Sequence, residues 1–145
     1  MLLPDHLKRN ANELAAIKAI AESGDDPPVL MVNINTYTAE AGYPDGDLHH
    51  QYITGLEKLL KRVGATILWR LPVLGQPVGE QQQTDEILGV WYPSHKAFLD
   101  LPKTAGADEN YRLRRLCVQE AVIHRCDGNA NMNGAVGSNE EPCSV

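Results

Sequence analysis

Apolar positions recur along this chain in two distinct periods. In residues 5–22, Leu7, Leu14, Ile17 and Ala21 follow three- and four-residue steps, which draw one apolar stripe along a helix. Asp5 is the expected N-cap and Ser23-Gly24 the expected stop. Asp25-Asp26-Pro27-Pro28 then reads as a linker. A lone helix cannot bury its stripe, so this one is expected to dock on the rest of the chain or on a second copy.

From residue 29 the pattern changes. Residues 29–35, Val-Leu-Met-Val-Asn-Ile-Asn, have the length and β-branching of a strand. A turn-rich stretch ends near Asp47, and Asp45 or Asp47 is the expected cap of the next helix. On it Leu48, Tyr52, Leu56, Leu59, Leu60 and Val63 share a face, with Glu57 and Lys61 paired outside. Gly64 ends that helix in a left-handed cap. Residues 65–73 alternate as a strand, with Thr66, Leu68 and Arg70 on one side and Ile67, Trp69 and Leu71 on the other. A polar loop over 75–85 leads to a third strand at 86–92. Pro93-Ser94 opens a short helix that Pro102 interrupts. Residues 108–116 form a further helix, acidic at its start and basic at its end as the helix dipole favours. Residues 118–125 form the fourth strand. The tail, 127–145, is Asn-rich, shows no period and reads as coil.

The order is a helix followed by β-α-β-β-α-β. Right-handed crossovers then give an antiparallel α+β sheet in the order 4-1-3-2 with the helices on one face. The other face is left bare, and a second copy stacked sheet to sheet is its natural cover, so a homodimer is expected. The chain divides into a helical arm and linker (1–28), a folding unit (29–126) and a tail (127–145).

Composition narrows the class. Of 145 residues 43% are hydrophobic, enough for a packed core. No apolar run approaches the roughly 20 residues of a membrane helix. The net charge of -6 argues against nonspecific nucleic-acid binding, although residues 127–145 supply three acids and no base. Three cysteines without a CxxC pair indicate neither a disulfide framework nor a zinc knuckle. With no basic-then-apolar leader visible, a cytoplasmic location is expected.

Several residues carry a resemblance. They are the opening strand 29–35, Tyr52, Gly64-Ala65, Trp91-Tyr92-Pro93-Ser94-His95-Lys96-Ala97, Tyr111 with Arg115, and Asp127-Gly128. On these residues the stretch 29–128 resembles the dimeric α+β-barrel superfamily, with ferredoxin-like protomers. Within it the stretch resembles most the bacterial family filed as domain of unknown function 1330. The resemblance implies the fold and the dimer; it implies no single activity, since the superfamily includes cofactor-independent enzymes, haem proteins and members without assigned chemistry.

Candidate chemistry comes from strand parity. Asn33 and Asn35 share one face of the first strand; Glu120, Val122 and His124 share one face of the fourth. Were these faces to coincide, a polar strip would cross the sheet, with Tyr92 at one end. His124 and Glu120 are then the candidate catalytic acid–base pair, and Asn33, Asn35, Arg70 and Tyr92 the candidate substrate contacts. Parity leaves open whether the strip faces helices, a pocket or a partner sheet. Arg70 is the preferred anion contact if it faces inward, ahead of Arg112, Arg114 and Arg115 on their helix, which read as solvated or salt-bridged. His49 and His50 point about 100° apart, so they do not readily share a metal and read as exposed first-turn residues. His95 reads as a helix-start residue with no acidic partner in sequence. Nucleotide-binding, hydrolase-elbow and metalloprotease motifs are missing from the sequence. The expected function is small-molecule binding, of a small anionic or aromatic ligand, with cofactor-independent acid–base catalysis as its enzymatic form. The alternative is a structural or interaction protein whose sheet mediates homodimerisation. Haem ligation by His124 or His95 is a third reading. No cofactor, metal, nucleic-acid or membrane partner is expected.

Overall fold

A computed structural model describes residues 10–130. The first helix, α1 (Ala11–Glu22), begins where the Asn10 side chain accepts from the backbone N–H groups of Asn12 and Glu13. The expected cap, Asp5, lies outside the described residues. Ser23 closes α1, as expected, and Gly24 takes φ +83.

The body contains β1 (Val29–Tyr37), α2 (Asp47–Arg62), β2 (Thr66–Pro72), β3 (Glu86–Tyr92), α3 (His95–Asp100), α4 (Ala107–Cys117) and β4 (Val118–Asp127). Its four strands form one antiparallel sheet in the order β2-β3-β1-β4, which is the expected 4-1-3-2. The α+β class and ferredoxin-like topology therefore hold.

Two local expectations are corrected. The N-cap of α2 is Gly46, not Asp45 or Asp47, and no side chain caps it. A Cβ at Gly46 would stand 2.4 Å from the Ala41 carbonyl oxygen and 2.6 Å from the Gly42 Cα. Close approach of two backbone segments selects the residue here, not a capping oxygen. The second correction concerns β2. Ile67 pairs with Val90 and Trp69 with Gly89, so Leu68 is an extra residue and the simple alternation breaks. Ile67 and Arg70 consequently face the helices, while Trp69 lies across Gly89 on the other side. A Cβ at Gly89 would meet the Trp69 ring at 2.4 Å.

The core lies between the sheet and the helices. Val29, Met31 and Tyr37 of β1 and Leu88, Val90 and Tyr92 of β3 meet Tyr52, Ile53, Leu59 and Leu60 of α2 and Leu113 of α4. α1 packs on α3 and contributes Ile17 to the same cluster, so the arm docks on its own chain. The far side of the sheet is less covered: Leu71 is 50% exposed and Val122 44%. Among the described residues no helix is long and apolar enough to cross a membrane. The expected coil over 131–145 lies outside the described residues.

The end of α2 gives a test. Gly64 takes φ +77, with its N–H bonded to Lys61 and that of Ala65 to Leu60, a left-handed cap as expected. Gly64→Ala should lower the unfolding free energy by about 1 kcal/mol, because an L side chain is strained at this φ. Urea denaturation measures it; an unchanged midpoint would show that the cap does not constrain the helix end.

Candidate functional site

A cavity of about 620 Å³ lies between the sheet and the helices. Strand alternation supplies its floor: Met31 and Asn33 of β1 and Val90 and Tyr92 of β3 project to the helix side. α2 supplies Tyr52 and Leu56, and α4 supplies Asn110, Tyr111 and Arg114. Phe98 and Leu101 close the end near α3, where Phe98 stands edge-on to Tyr92 at 5.3 Å. α1 covers the remaining side with Asn10, Glu13, Leu14 and Ile17. It is held there by Glu13, whose carboxylate takes the Arg125 guanidinium at 2.5 Å. The lining is thus mostly apolar, with a few placed polar groups. Asn33 donates to the Met31 carbonyl at 3.0 Å, and Asn110 to the Tyr52 carbonyl at 3.1 Å, which fixes both amides. Burial raises the Tyr52 phenol above its ordinary value, and Arg114 is the foremost charge opposing that rise.

Beyond Asn33 the same face of the sheet carries a second polar group of residues, centred on Glu86. This carboxylate is only 2% exposed. It accepts from the Tyr37 hydroxyl at 2.7 Å and pairs with the Arg70 guanidinium at 2.8 Å. His49, also 2% exposed, has its Nε2 3.8 Å from Glu86 and its ring edge-on to Tyr37 and Tyr43. Burial lowers the proton affinity of His49, with Glu86 opposing the shift. Burial, joined by the bond to Glu86, raises the Tyr37 phenol far above its ordinary value. Among the described residues the His49 Nε2, Tyr43 hydroxyl and Asn35 Oδ1 have no hydrogen-bond partner.

A third polar contact fixes the linker. Asp26 accepts from the backbone N–H groups of His95 at 2.6 Å and Lys96 at 2.9 Å, and its Oδ1 lies 3.0 Å from His95 Nδ1. Burial alone would raise the Asp26 carboxyl; the N–H bonds and the His95 ring outweigh it and hold the carboxyl below its usual range. Asp26 thereby joins the linker before β1 to the first turn of α3.

The register separates the residues that parity alone could not place. Glu120 pairs with Thr36 and His124 with Val32, so both point away from the helices, opposite Asn33 and Asn35. Four residues along one strand, they are about 13 Å apart, and both are exposed. The expected catalytic pair is therefore not assembled. His124 does reach the rim of the cavity, because the cavity runs along the edge strand and meets residues 121–125 in turn. Asn33 and Tyr92 line the cavity; Asn35 and Arg70 belong instead to the Glu86 group. Arg70 faces inward as its anion-contact role required, but Glu86 already occupies it. Arg112 pairs with Glu109 as expected, whereas Arg114 lines the cavity without a carboxylate among the described residues. His49 is buried, not exposed, because α2 turns its first-turn face onto Tyr37 and Tyr43. His95 does have an acidic partner, Asp26, 69 residues earlier in the chain. Its Nδ1 is thereby engaged, and its Nε2 lies 3.4 Å from the Arg125 guanidinium. No group of three or more metal-ligating side chains occurs among the described residues. Reading the sequence missed Glu86 and Tyr37 altogether; a glutamate opening a strand at a position whose parity faces the helices was the available signal.

No protein-family model matches the chain, and no curated protein matches it. Solved structures do. A protein of unknown function from Rhodopseudomonas palustris superposes with a TM-score of 0.71 at 20% identity, covering 86% of this chain and 97% of its own. A hydroxynitrile lyase from Passiflora edulis gives 0.55 at 15%, covering 73% and 97%. A dabb family protein with a ferredoxin-like fold from Mesorhizobium loti gives 0.51 at 10%, covering 68% and 94%. At these identities the likeness concerns the fold alone: the chain has the ferredoxin-like α+β architecture of these proteins.

Two measurements test the Glu86 group. Arg70→Met should cost about 2–3 kcal/mol, because it leaves a buried carboxylate uncompensated, and adding Glu86→Gln should recover much of that loss. Additive costs in urea denaturation would show that the pair is not coupled. The second test uses pH. The folded chain resists protonating His49, whereas the unfolded chain takes that proton near pH 6.5. His49 thus contributes stability above about pH 6.5 that is lost as the pH falls. The wild type should lose more stability than His49→Phe between pH 7 and 5, by at most about 1.4 kcal/mol per pH unit. Equal losses would count against a depressed His49.

Proposed function

We propose that this protein binds a small, predominantly apolar molecule in the cavity between its sheet and helices. One observation carries the reading: a cavity of about 620 Å³ walled by four helices and the sheet, apolar in most of its lining, with fixed amides and an arginine. This is the size and chemistry of small-molecule sites. That an enzyme, the hydroxynitrile lyase, is among the fold neighbours is compatible with such a cavity. The proposal includes membership of the family filed as domain of unknown function 1330, and a cytoplasmic location, both on the sequence cues alone.

Homodimerisation through the open face of the sheet is the second part of the proposal. It is supported by the exposed Leu71 and Val122 beside the half-buried Ile34 and Ile87 on that face. Packing of two such faces would keep the cavities of both copies on the outer, helix side. In the alternative reading the dimer is itself the function and the cavity holds only water.

The two readings part in one experiment. A panel of small aromatic and branched aliphatic compounds is screened by thermal shift and calorimetry against the wild type and Ala121→Phe, which projects a ring into the cavity. Compounds that raise the wild-type Tm and lose at least tenfold in affinity in the variant are expected. Equal affinity in both proteins, or no binder in the panel, would favour the structural reading. Val122→Lys tests the dimer: light scattering should show the mass halved, and an unchanged mass would remove this face from the interface.

A further inference from the structure

We infer that the ligand of this cavity is a monocarboxylic acid with an aromatic or branched apolar body, its carboxylate held by Arg114. The inference rests on the cavity-binding reading and adds the chemical class.

Among the described residues the chain places two guanidinium groups on the cavity lining, those of Arg114 and Arg125. Arg125 is taken: Glu13 of α1 meets it at 2.5 Å, and its remaining nitrogen lies 3.4 Å from His95 Nε2. Other arginines of the chain also have acceptors, with Arg70 on Glu86, Arg112 on Glu109, and Arg62 on the Ala105 carbonyl. Two differ: Arg115, whose buried Nη1 has no partner among the described residues but which does not line the cavity, and Arg114, which does line it. The Arg114 guanidinium has no carboxylate or hydrogen-bond acceptor among the described residues, although it is half-buried. A guanidinium in a partly dry wall is stabilised most by a carboxylate, which takes two parallel N–H bonds.

Tyr52 supplies a second polar group beside Arg114. Tyr52 lines the cavity on the α2 side, is 3% exposed, and has Arg114 as the foremost charge near its hydroxyl. Its phenol is kept protonated by burial, so it is a donor. One cation and one neutral donor on adjacent walls suit the two oxygens of a carboxylate. Met31, Leu56, Val90, Phe98 and Leu101 give the ligand body an apolar surface; the Asn33 and Asn110 amides already donate to carbonyls, and His124 stands at the rim. Glu13 adds negative charge at the α1 side and already occupies Arg125. A second carboxylate at Arg125 would have to displace it, which favours a ligand with one negative charge at Arg114.

The test uses matched pairs on the full chain: phenylacetate against phenylacetamide, 3-phenylpropionate against its amide, and 4-methylpentanoate against its amide. Calorimetry is run on the wild type, Arg114→Gln and Arg114→Lys at neutral pH. The acids should bind the wild type at least about tenfold more tightly than the amides. Arg114→Gln should abolish that preference while leaving amide affinity within a factor of about two, and Arg114→Lys should keep part of it. Should Arg114→Gln fail to fold, the wild-type acid-to-amide ratio still decides, together with its decline at high salt. Amides that equal or exceed the acids overturn the carboxylate assignment and leave the cavity reading standing. An acid preference that survives Arg114→Gln overturns the role of Arg114. If no compound of either charge binds and Ala121→Phe changes nothing, both readings fall together.

Discussion

Strand β1 is hydrogen-bonded to β3 on one side and β4 on the other, so its two-residue alternation divides the molecule. Its odd-numbered residues, Met31 to Tyr37, turn toward the helices, and the register forces Glu86, Leu88 and Val90 of β3 to do the same. A slip of one residue would exchange these for Ile87, Gly89 and Trp91. It would take the buried Glu86 from Tyr37. The cavity, the Glu86 group and the core therefore share one determinant.

Along that face the environment grades from apolar to polar. Near Met31 and Val90 the helices stand off the sheet and leave the cavity; near Asn35 and Glu86 they close down on a buried carboxylate. Burying a carboxylate is costly unless it is paired and hydrogen-bonded. Here Arg70 reaches in from β2 and Tyr37 across from β1, so two strands are committed to one another through a single side chain. The bulge at Leu68 makes that reach available, since it sets Arg70 on the helix side together with Ile67. The other end is fixed by Asp26, which ties the linker to α3 and so sets where α1 crosses the cavity.

The legible part of the fold was the part with strong local signals. The strands at 29–35, 86–92 and 118–125 and the helix ending at Gly64 lie where periodicity and cap chemistry placed them, and the sheet order follows from crossover handedness. The start of α2 was misplaced because Gly46 is chosen by contact with Ala41 and Gly42, which no cap rule contains. The face of Ile67 was misplaced because one inserted residue reverses parity, and a bulge has no obligatory sequence mark. At the site, Asn33 and Tyr92 were found by alternation, and His124 only as a rim residue. Its pairing with Glu120 failed because parity within two strands says nothing about their mutual register.

What the sequence by itself determined is the element order, the α+β class and a chain able to bury one core, since periodicity, turns and caps act over a few residues. The tertiary structure decided which charges are already neutralised. Arg70 was preferred to Arg114 as an anion contact along the chain, yet Arg70 meets Glu86 across the sheet and Arg114 faces the cavity. His95 gained its acid from 69 residues away, and Arg125 gained Glu13 from 112 away. Coulomb attraction and desolvation depend on distances of a few ångströms in space, which only the packed chain sets.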